Sequence, residues 1–415
     1  MFYFDHDPSA PTVDATPYGR IHRPDSLTPD ALDARTWMGD ESPSDDPDGA
    51  TRIWDAARHW YAVGTQPAVQ ICVRHRGRIV LDRAIGHGRT PLEQVTGSTP
   101  FCLYSASKVI AAVAVWRLID QGLLRLDDRV ADLIPGYGTR GKSSTTVDHV
   151  LTHRAGVPFA FAGLDDPLRA DDRDYVRRSL NRLWAVHPPG MLHIYHALTW
   201  GPLVREIVEA AAGRGIRDYV ADEVTGPLGL RWTNFGVHAD ELVEVAHSHV
   251  TGPRVRVPID TAFVLSTGHT LAATITASNS PDFLTSAVPS SNGVSTAREL
   301  SRFAEMLLRG GEGVLRPETV ARARRQRRVL RPDVATSGSP LRWGTGFMLG
   351  SHYFGPFGRR APEAFGHTGL THVAMWADPQ RELAVAVISS GKTLSDDGGH
   401  YRALINTIAA SFPAG

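Results

Sequence analysis

Ser105-Ala106-Ser107-Lys108-Val109-Ile110-Ala111-Ala112-Val113-Ala114-Val115-Trp116 is the stretch from which the rest of the chain is read. From Ser105 to Gln121 the content is apolar nearly all round, with Leu118 and Ile119 continuing the run. This predicts a helix buried on most sides, and Gly122 is a natural stop. Ser105 and Lys108 stand three apart, so on a helix they share a face and the amine reaches the hydroxyl. Free N–H groups and the positive dipole end at the start of such a helix favour an oxyanion. They disfavour a protonated lysine, as does desolvation. A neutral amine beside a serine hydroxyl is a base–nucleophile pair.

The tetrapeptide alone is weak, since short patterns recur by chance. Ser389-Ser390-Gly391-Lys392 matches it too, but leads into Thr393-Leu394-Ser395-Asp396-Asp397-Gly398 and opens no apolar helix. That copy reads as a surface loop. Only three of the 44 basic residues are lysine, namely Lys108, Lys142 and Lys392. Arginine keeps its proton in a protein whereas a desolvated lysine gives it up, so a chain this averse to lysine points to chemistry at some of them.

A chain of 415 residues is too long for one small core and suggests two lobes or one large body. Basic and acidic residues balance at 44 each, which leaves no global field for a polyanion and argues against nucleic acid. The longest apolar run, Val109 to Trp116, is far too short for a bilayer. Met1 to Asp7 lacks the basic and apolar regions of a secretory signal. Cys72 and Cys102 read as buried free thiols rather than a disulfide framework. A cytoplasmic location with no membrane span is the expectation.

Residues 1–50, rich in Asp, Pro and Ser, read as an N-terminal arm. A helix follows from Ala50 to about Val63, then a hairpin of Ala68–Val73 and Ile79–Asp82 about a glycine turn. Leu203, Val204, Ile207, Val208 and Ala211 mark an amphipathic helix. Residues 258–290 are weakly charged and carry Phe263 and Phe283, which reads as an apolar loop that covers or lines something. Thr296 with Glu299 fits a capping box ahead of Leu300, Phe303, Ala304 and Leu307. Strand-like runs at 346–349, 373–377 and 383–388 precede a last helix over 399–412, with Phe365 and Trp376 expected in the core. Strands near both ends with helices between them predict an α+β fold. An antiparallel sheet flanked by helices is built from both chain ends, over 51–130 and 291–415, and 131–290 form an inserted, mainly helical lobe.

The ordered set of motifs resembles a family. Ser105-Ala106-Ser107-Lys108, Leu123-Leu124-Arg125-Leu126-Asp127-Asp128, Leu151-Thr152-His153-Arg154-Ala155-Gly156, Pro189-Gly190, Tyr195-His196-Ala197-Leu198-Thr199, Asn292-Gly293-Val294-Ser295-Thr296-Ala297-Arg298 and Gly366-His367-Thr368-Gly369 follow in order. Together they are similar to class C β-lactamases, penicillin-binding proteins and the family VIII carboxylesterases, from about residue 65 to 410. The resemblance implies acylation of Ser105 and assistance from Lys108. It implies that Tyr195 serves as general base, and as acid toward the leaving group. The backbone N–H groups of Ser105 and Leu370 would form the oxyanion hole, and His367, Thr368 and Gly369 would bind substrate. No G-x-S-x-G elbow occurs, which argues against an ordinary α/β-hydrolase.

Two departures are informative. Ala197 stands where the β-lactamases carry the Asn of Tyr-x-Asn, and His367 stands for the Lys of Lys-Thr-Gly. An imidazole, mostly neutral, then meets the substrate where a fixed cation would greet a carboxylate. Both changes suit neutral esters, so the expectation is a carboxylesterase for small or medium acyl esters, without cofactor or metal. β-Lactamase, D-aminopeptidase or D,D-peptidase and transacylase activities are alternatives on the same fold, and a catalytically silent binding protein is the alternative of another class. His153 reads as a structural histidine fixing the loop of Tyr195, and His196 as pointing away from it. His247-Ser248-His249 lacks a third spaced ligand for a metal. Oligomeric state is not legible.

Overall fold

Val69, Ile71 and Val73 alternate with Ala68, Gln70 and Cys72, and that period of two decides which layer each contacts. The computed structural model describes residues 14–16, 19–21, 27–43, 46–159, 169–253, 259–326, 341–353, 355–394 and 398–414. In chain order, strand β1 (Thr36–Met38) comes from the N-terminal arm, and helix α1 (Pro47–Ala62) leads to the hairpin β2 (Ala68–His75) and β3 (Arg78–Gly86). Strand β4 (Phe101–Cys102) runs through a 3-10 turn at Tyr104–Ala106 into α2 (Ser107–Asp120). The middle of the chain supplies α3 (Trp200–Ala212), the short strands β5 (Asn234–Phe235) and β6 (His249–Val250), and α4 (Ile259–Thr267), α5 (Leu271–Ser278) and α6 (Pro281–Thr285). Then come β7 (Gly293–Ser295), α7 (Ala297–Leu308), β8 (Arg342–Trp343), β9 (Met348–Leu349), β10 (Phe365–Gly369), β11 (Val373–Asp378), β12 (Leu383–Ser389), β13 (Gly391–Lys392) and α8 (His400–Ser411).

Eight strands form one antiparallel sheet in the order β8-β9-β10-β11-β12-β2-β3-β1. The two chain ends meet at its centre, where Val385 pairs with Val73 and Val387 with Ile71. Val69, Ile71, Val73, Val385 and Val387 pack with Ile53, Ala57 and Trp60 of α1 and Leu404, Ile405 and Ile408 of α8. The opposite face, with Ala68, Cys72, Ala384 and Ala386, packs on Leu300, Phe303 and Leu307 of α7 and joins the core around α2. Each large apolar side chain so buried contributes about 1.5–3 kcal/mol. Small alanines on this face let α7 approach closely. Thr296 caps α7, its hydroxyl accepting the Glu299 N–H at 3.1 Å. Among the described residues no helix is long and apolar enough to cross a membrane.

The sequence reading needs correction at four places. Residues 259–285 are not a loop but the three helices α4, α5 and α6. The second Ser-x-x-Lys is not a surface loop: Ser389, Ser390 and Lys392 are buried, and β13 pairs in parallel with β6. Ser395 to Asp397 of that segment lie outside the described residues, as do Met1 to Asp7. The buried helix begins at Ser107, so Ser105 sits in the tighter turn before it. The strand expected over 346–349 shrinks to Met348–Leu349. The arm joins the body through β1, where Trp37 pairs with Ala84 and Glu41 holds Arg83 through two bonds of 2.8 Å.

Candidate active site

Ser105 is half-buried on a turn whose neighbours are buried. Tyr104, just before it, adopts φ +50°, a left-handed conformation that a non-glycine residue holds only under tertiary restraint. The restraint is visible. The Ser107 hydroxyl donates to the Tyr104 carbonyl and accepts the Gly293 N–H at 2.8 Å. The Leu103 N–H donates to the Gly293 carbonyl at 2.7 Å. A Cβ at Gly293 would lie 2.6 Å from Ser107 Oγ, so only glycine lets β7 close on the turn. Sequence reasoning passed over Ser107 inside the motif, since its contacts to Tyr104 and Gly293 leave no mark on the spacing.

Lys108 is fully buried, and its amine has three near neighbours: Ala197 O at 2.9 Å, Ser290 O at 3.1 Å and Ser105 Oγ at 3.3 Å. Burial alone pulls its pKa well below the usual lysine value, with no carboxylate acting on it. A neutral amine has two protons and one lone pair. When the two carbonyls take the two protons, the lone pair is left for the Ser105 hydroxyl. With the amine neutral, this arrangement would let Lys108 act as a base toward Ser105.

The Tyr195 ring is buried beneath the same amine, its centre 5.0 Å from Lys108 Nζ. It stacks on Trp343 at 5.5 Å and tilts against His153 at 4.7 Å. Nothing in the sequence pointed to Trp343. His153 takes φ +53° and accepts the His196 N–H on Nδ1 at 3.2 Å, and its carbonyl accepts the Ile194 N–H at 3.1 Å. His196 accepts the Val157 N–H on Nε2, so its Nδ1 carries the proton donated to Ile194 O at 2.6 Å. Both histidines brace the segment on either side of Tyr195.

From the other side comes β10. His367 is buried, and its pKa falls to about 3 through burial first and the nearby Lys108 second. Its Nδ1 donates to the Thr368 carbonyl at 2.7 Å, which leaves the Nε2 lone pair with no hydrogen-bond partner among the described residues. Its ring centre lies 6.2 Å from that of Tyr195. Thr368 Oγ1 contacts Met348 Sδ at 3.4 Å. A Cβ at Gly369 would stand 2.2 Å from the Leu103 carbonyl, so glycine brings the end of β10 onto the Ser105 turn. Leu370 follows in the turn to β11, and no protein acceptor takes its N–H among the described residues.

An apolar pocket opens beside the turn, lined by Tyr104, Val176, Leu198, Pro202, Phe283 and Val288 among others. Leu198 follows Ala197, and Val288 lies two residues before Ser290, so the pocket shares its wall with the Lys108 acceptors.

The sequence model described as Beta-lactamase matches residues 57–409. The chain is 30% identical over 303 residues to the "Esterase/beta-lactamase LipL" of Mycobacterium tuberculosis, covering 69% of this chain and 68% of that one. It is 29% identical over 303 residues to "Esterase EstB" of Burkholderia gladioli, covering 68% and 74%. A crystal structure of a penicillin-binding protein homologue from Caulobacter crescentus superposes with TM-score 0.74 at 25% identity, over 90% of this chain and 100% of the other.

Proposed function

We propose, from the premise that the chain belongs to the β-lactamase family, that it is a carboxylesterase cleaving small and medium acyl esters through an acyl-enzyme on Ser105. Ser105 Oγ attacks the ester carbonyl carbon as its proton passes to the lone pair of the Lys108 amine, and Lys108 in turn replaces the proton that the Tyr195 hydroxyl gives up. The developing oxyanion takes the N–H groups of Ser105 and Leu370. Tyr195, held under the Lys108 amine, returns the proton to the leaving alcohol. Water then attacks the acyl-enzyme by the same proton route in reverse.

The observation that carries this reading is the Lys108 amine, drawn toward neutrality by burial, with both protons spoken for by carbonyls and Ser105 Oγ at 3.3 Å. Ester rather than β-lactam selectivity is supported by His367, whose bare Nε2 lone pair offers nothing to a carboxylate. The apolar pocket beside Tyr104 supports an acyl chain as the occupant, and the esterase names of two relatives agree.

The test is hydrolysis of p-nitrophenyl butyrate by wild type and Ser105→Ala. The variant is expected to lose about 10⁴-fold or more in kcat. A variant with undiminished turnover removes Ser105 from the mechanism. The relative named both esterase and β-lactamase keeps a second reading in view, and nitrocefin turnover rivalling ester cleavage would favour it.

A further inference from the structure

All three lysines of the chain are buried, each with its amine on two backbone carbonyls and about 5 Å from the centre of a tyrosine ring. Lys108 is the base proposed above. Lys142 ties the carbonyls of Asn181 and Leu183. Lys392 differs in where its contacts lie. Its Nζ donates to Ser389 O at 2.6 Å and Thr371 O at 3.3 Å, and stands 5.0 Å from the centre of the Tyr104 ring. Thr371 is the residue after Leu370, and Tyr104 is the residue before Ser105. One amine therefore touches the chain neighbours of both N–H groups assigned to the oxyanion.

Lys392 is itself held firmly. Its carbonyl accepts the Thr251 N–H at 2.9 Å, and the Gly391 N–H donates to Gln66 Oε1 at 3.0 Å. A Cβ on Gly391 would lie 2.0 Å from the Thr65 carbonyl, so β13 is wedged between β6 and residues 65–66. Two further bonds tie the Leu370 turn to residues flanking β13: Thr393 N–H to Thr371 Oγ1 at 3.1 Å, and Ser389 Oγ to His372 O at 3.0 Å. On the far side, the Tyr104 hydroxyl shares a 2.6 Å bond with Ser278 Oγ of α5.

We propose that Lys392 is a positioning residue, which holds the Leu370 turn against the Tyr104–Ser105 turn at the separation that lets two N–H groups reach one oxygen. The proposal rests on the acyl-enzyme reading above. Two donors stabilise an oxyanion only when both lie about 2.7–3.1 Å from the same point, so a small slip of either turn costs rate and spares ground-state binding. Burial lowers the Lys392 pKa to about 7, and Tyr104, Cys102 and His372 are the titratable groups beside it. Charged or neutral, the amine has protons for both carbonyls, so its hold on the Leu370 turn does not depend on its charge, while its attraction to the Tyr104 ring strengthens on protonation.

The experiment compares Lys392→Met with wild type and Ser105→Ala on p-nitrophenyl butyrate, and measures inhibition by phenylboronic acid, whose tetrahedral adduct mimics the oxyanion. Lys392→Met is expected to lower kcat about 10- to 100-fold with KM within about 2-fold, and to weaken the boronic acid by the same factor as kcat. A folded Lys392→Met with kcat within 2-fold of wild type overturns the proposal. So does a fall in kcat that leaves boronic acid affinity unchanged. If Lys392→Met does not accumulate, Lys392→Gln is read in the same way. Failure of both to fold also overturns it, because the amine would then serve folding and not the site. Full activity in Ser105→Ala would instead sink the acyl-enzyme reading, which keeps the two failures distinguishable.

Discussion

Under the proposed function, His367 is the side chain that favours a neutral ester over a carboxylate-bearing substrate. A lysine there would present a cation, whereas this imidazole is neutral, gives its only proton to the Thr368 carbonyl and leaves a bare lone pair. Substituting His367→Lys is expected to lower kcat/KM for p-nitrophenyl butyrate at least about 10-fold by placing a desolvated charge beside Lys108. Turnover of the carboxylate-bearing nitrocefin should rise relative to the ester. Steady-state kinetics with both substrates decide it, and an unchanged ratio would remove His367 from selectivity. At this scale the sequence announced Ser105, Lys108, Tyr195 and His367, because each is a chemically distinctive residue in an ordered motif. It did not single out Ser107 or Trp343, and it marked Lys392 as one of three lysines yet read its segment as a surface loop. Those matter through where the fold carries them, and spacing along a chain holds no record of a contact made across it.

At the scale of elements, the apolar pocket depends on α5 and α6. Phe283 lines it together with Ala277 and Ser278, while Phe263 packs against the neighbouring apolar cluster without lining the pocket. Phe283→Ala is therefore expected to move the preferred p-nitrophenyl ester toward longer acyl chains, by about two carbons. Phe263→Ala should leave the order of preference as it is. Chain-length profiles of the two variants check this, and equal shifts would detach the pocket from acyl selection. These helices were read as a loop for a physical reason. Their Ser, Thr and Ala content gives little amphipathic contrast, so the helices depend on what they pack against and on single caps such as Thr270 and Ser280. By contrast α2 was legible throughout its length, since a helix apolar on every side has no other place than the middle of the molecule. Only its start moved, because the turn at Ser105 is held by Gly293 and Ser107 rather than by local preference.

The whole molecule buries histidines in the neutral form. His367 and His372 both fall to about 3 through burial first, with a buried lysine next, and His153 also drops well below its ordinary value. The unfolded chain takes up these protons near pH 6.5, and the folded chain takes up none until about pH 3. The share of stability that these histidines govern is thus complete above about pH 6.5 and is lost as pH falls below it. At pH 5, His367 and His372 each cost the fold about 2 kcal/mol relative to pH 7.5. Thermal melts are expected to show Tm falling about 5–10 °C between those pH values, with a shallower fall in His372→Gln. A flat profile would mean that these rings reach solvent. The sheet itself was legible in outline, as strands from both ends with helices between them. Its eighth strand, β1, was hidden in an arm whose composition resembles a linker and which pairs only because β3 offers it an edge.

The pairing of β12 with β2 carries a consequence for the order of events during synthesis. The centre of the sheet stays open until residues 383–389 have left the ribosome, and the hairpin of β2 and β3 waits with one long edge exposed. Ser105 and Lys108 precede the Leu370 turn and Lys392 by more than 260 residues, so the two sides of the candidate site meet late in synthesis. Under the proposed function, Ser105 and Lys108 gain their oxyanion partner only once β10 and β12 have joined the sheet.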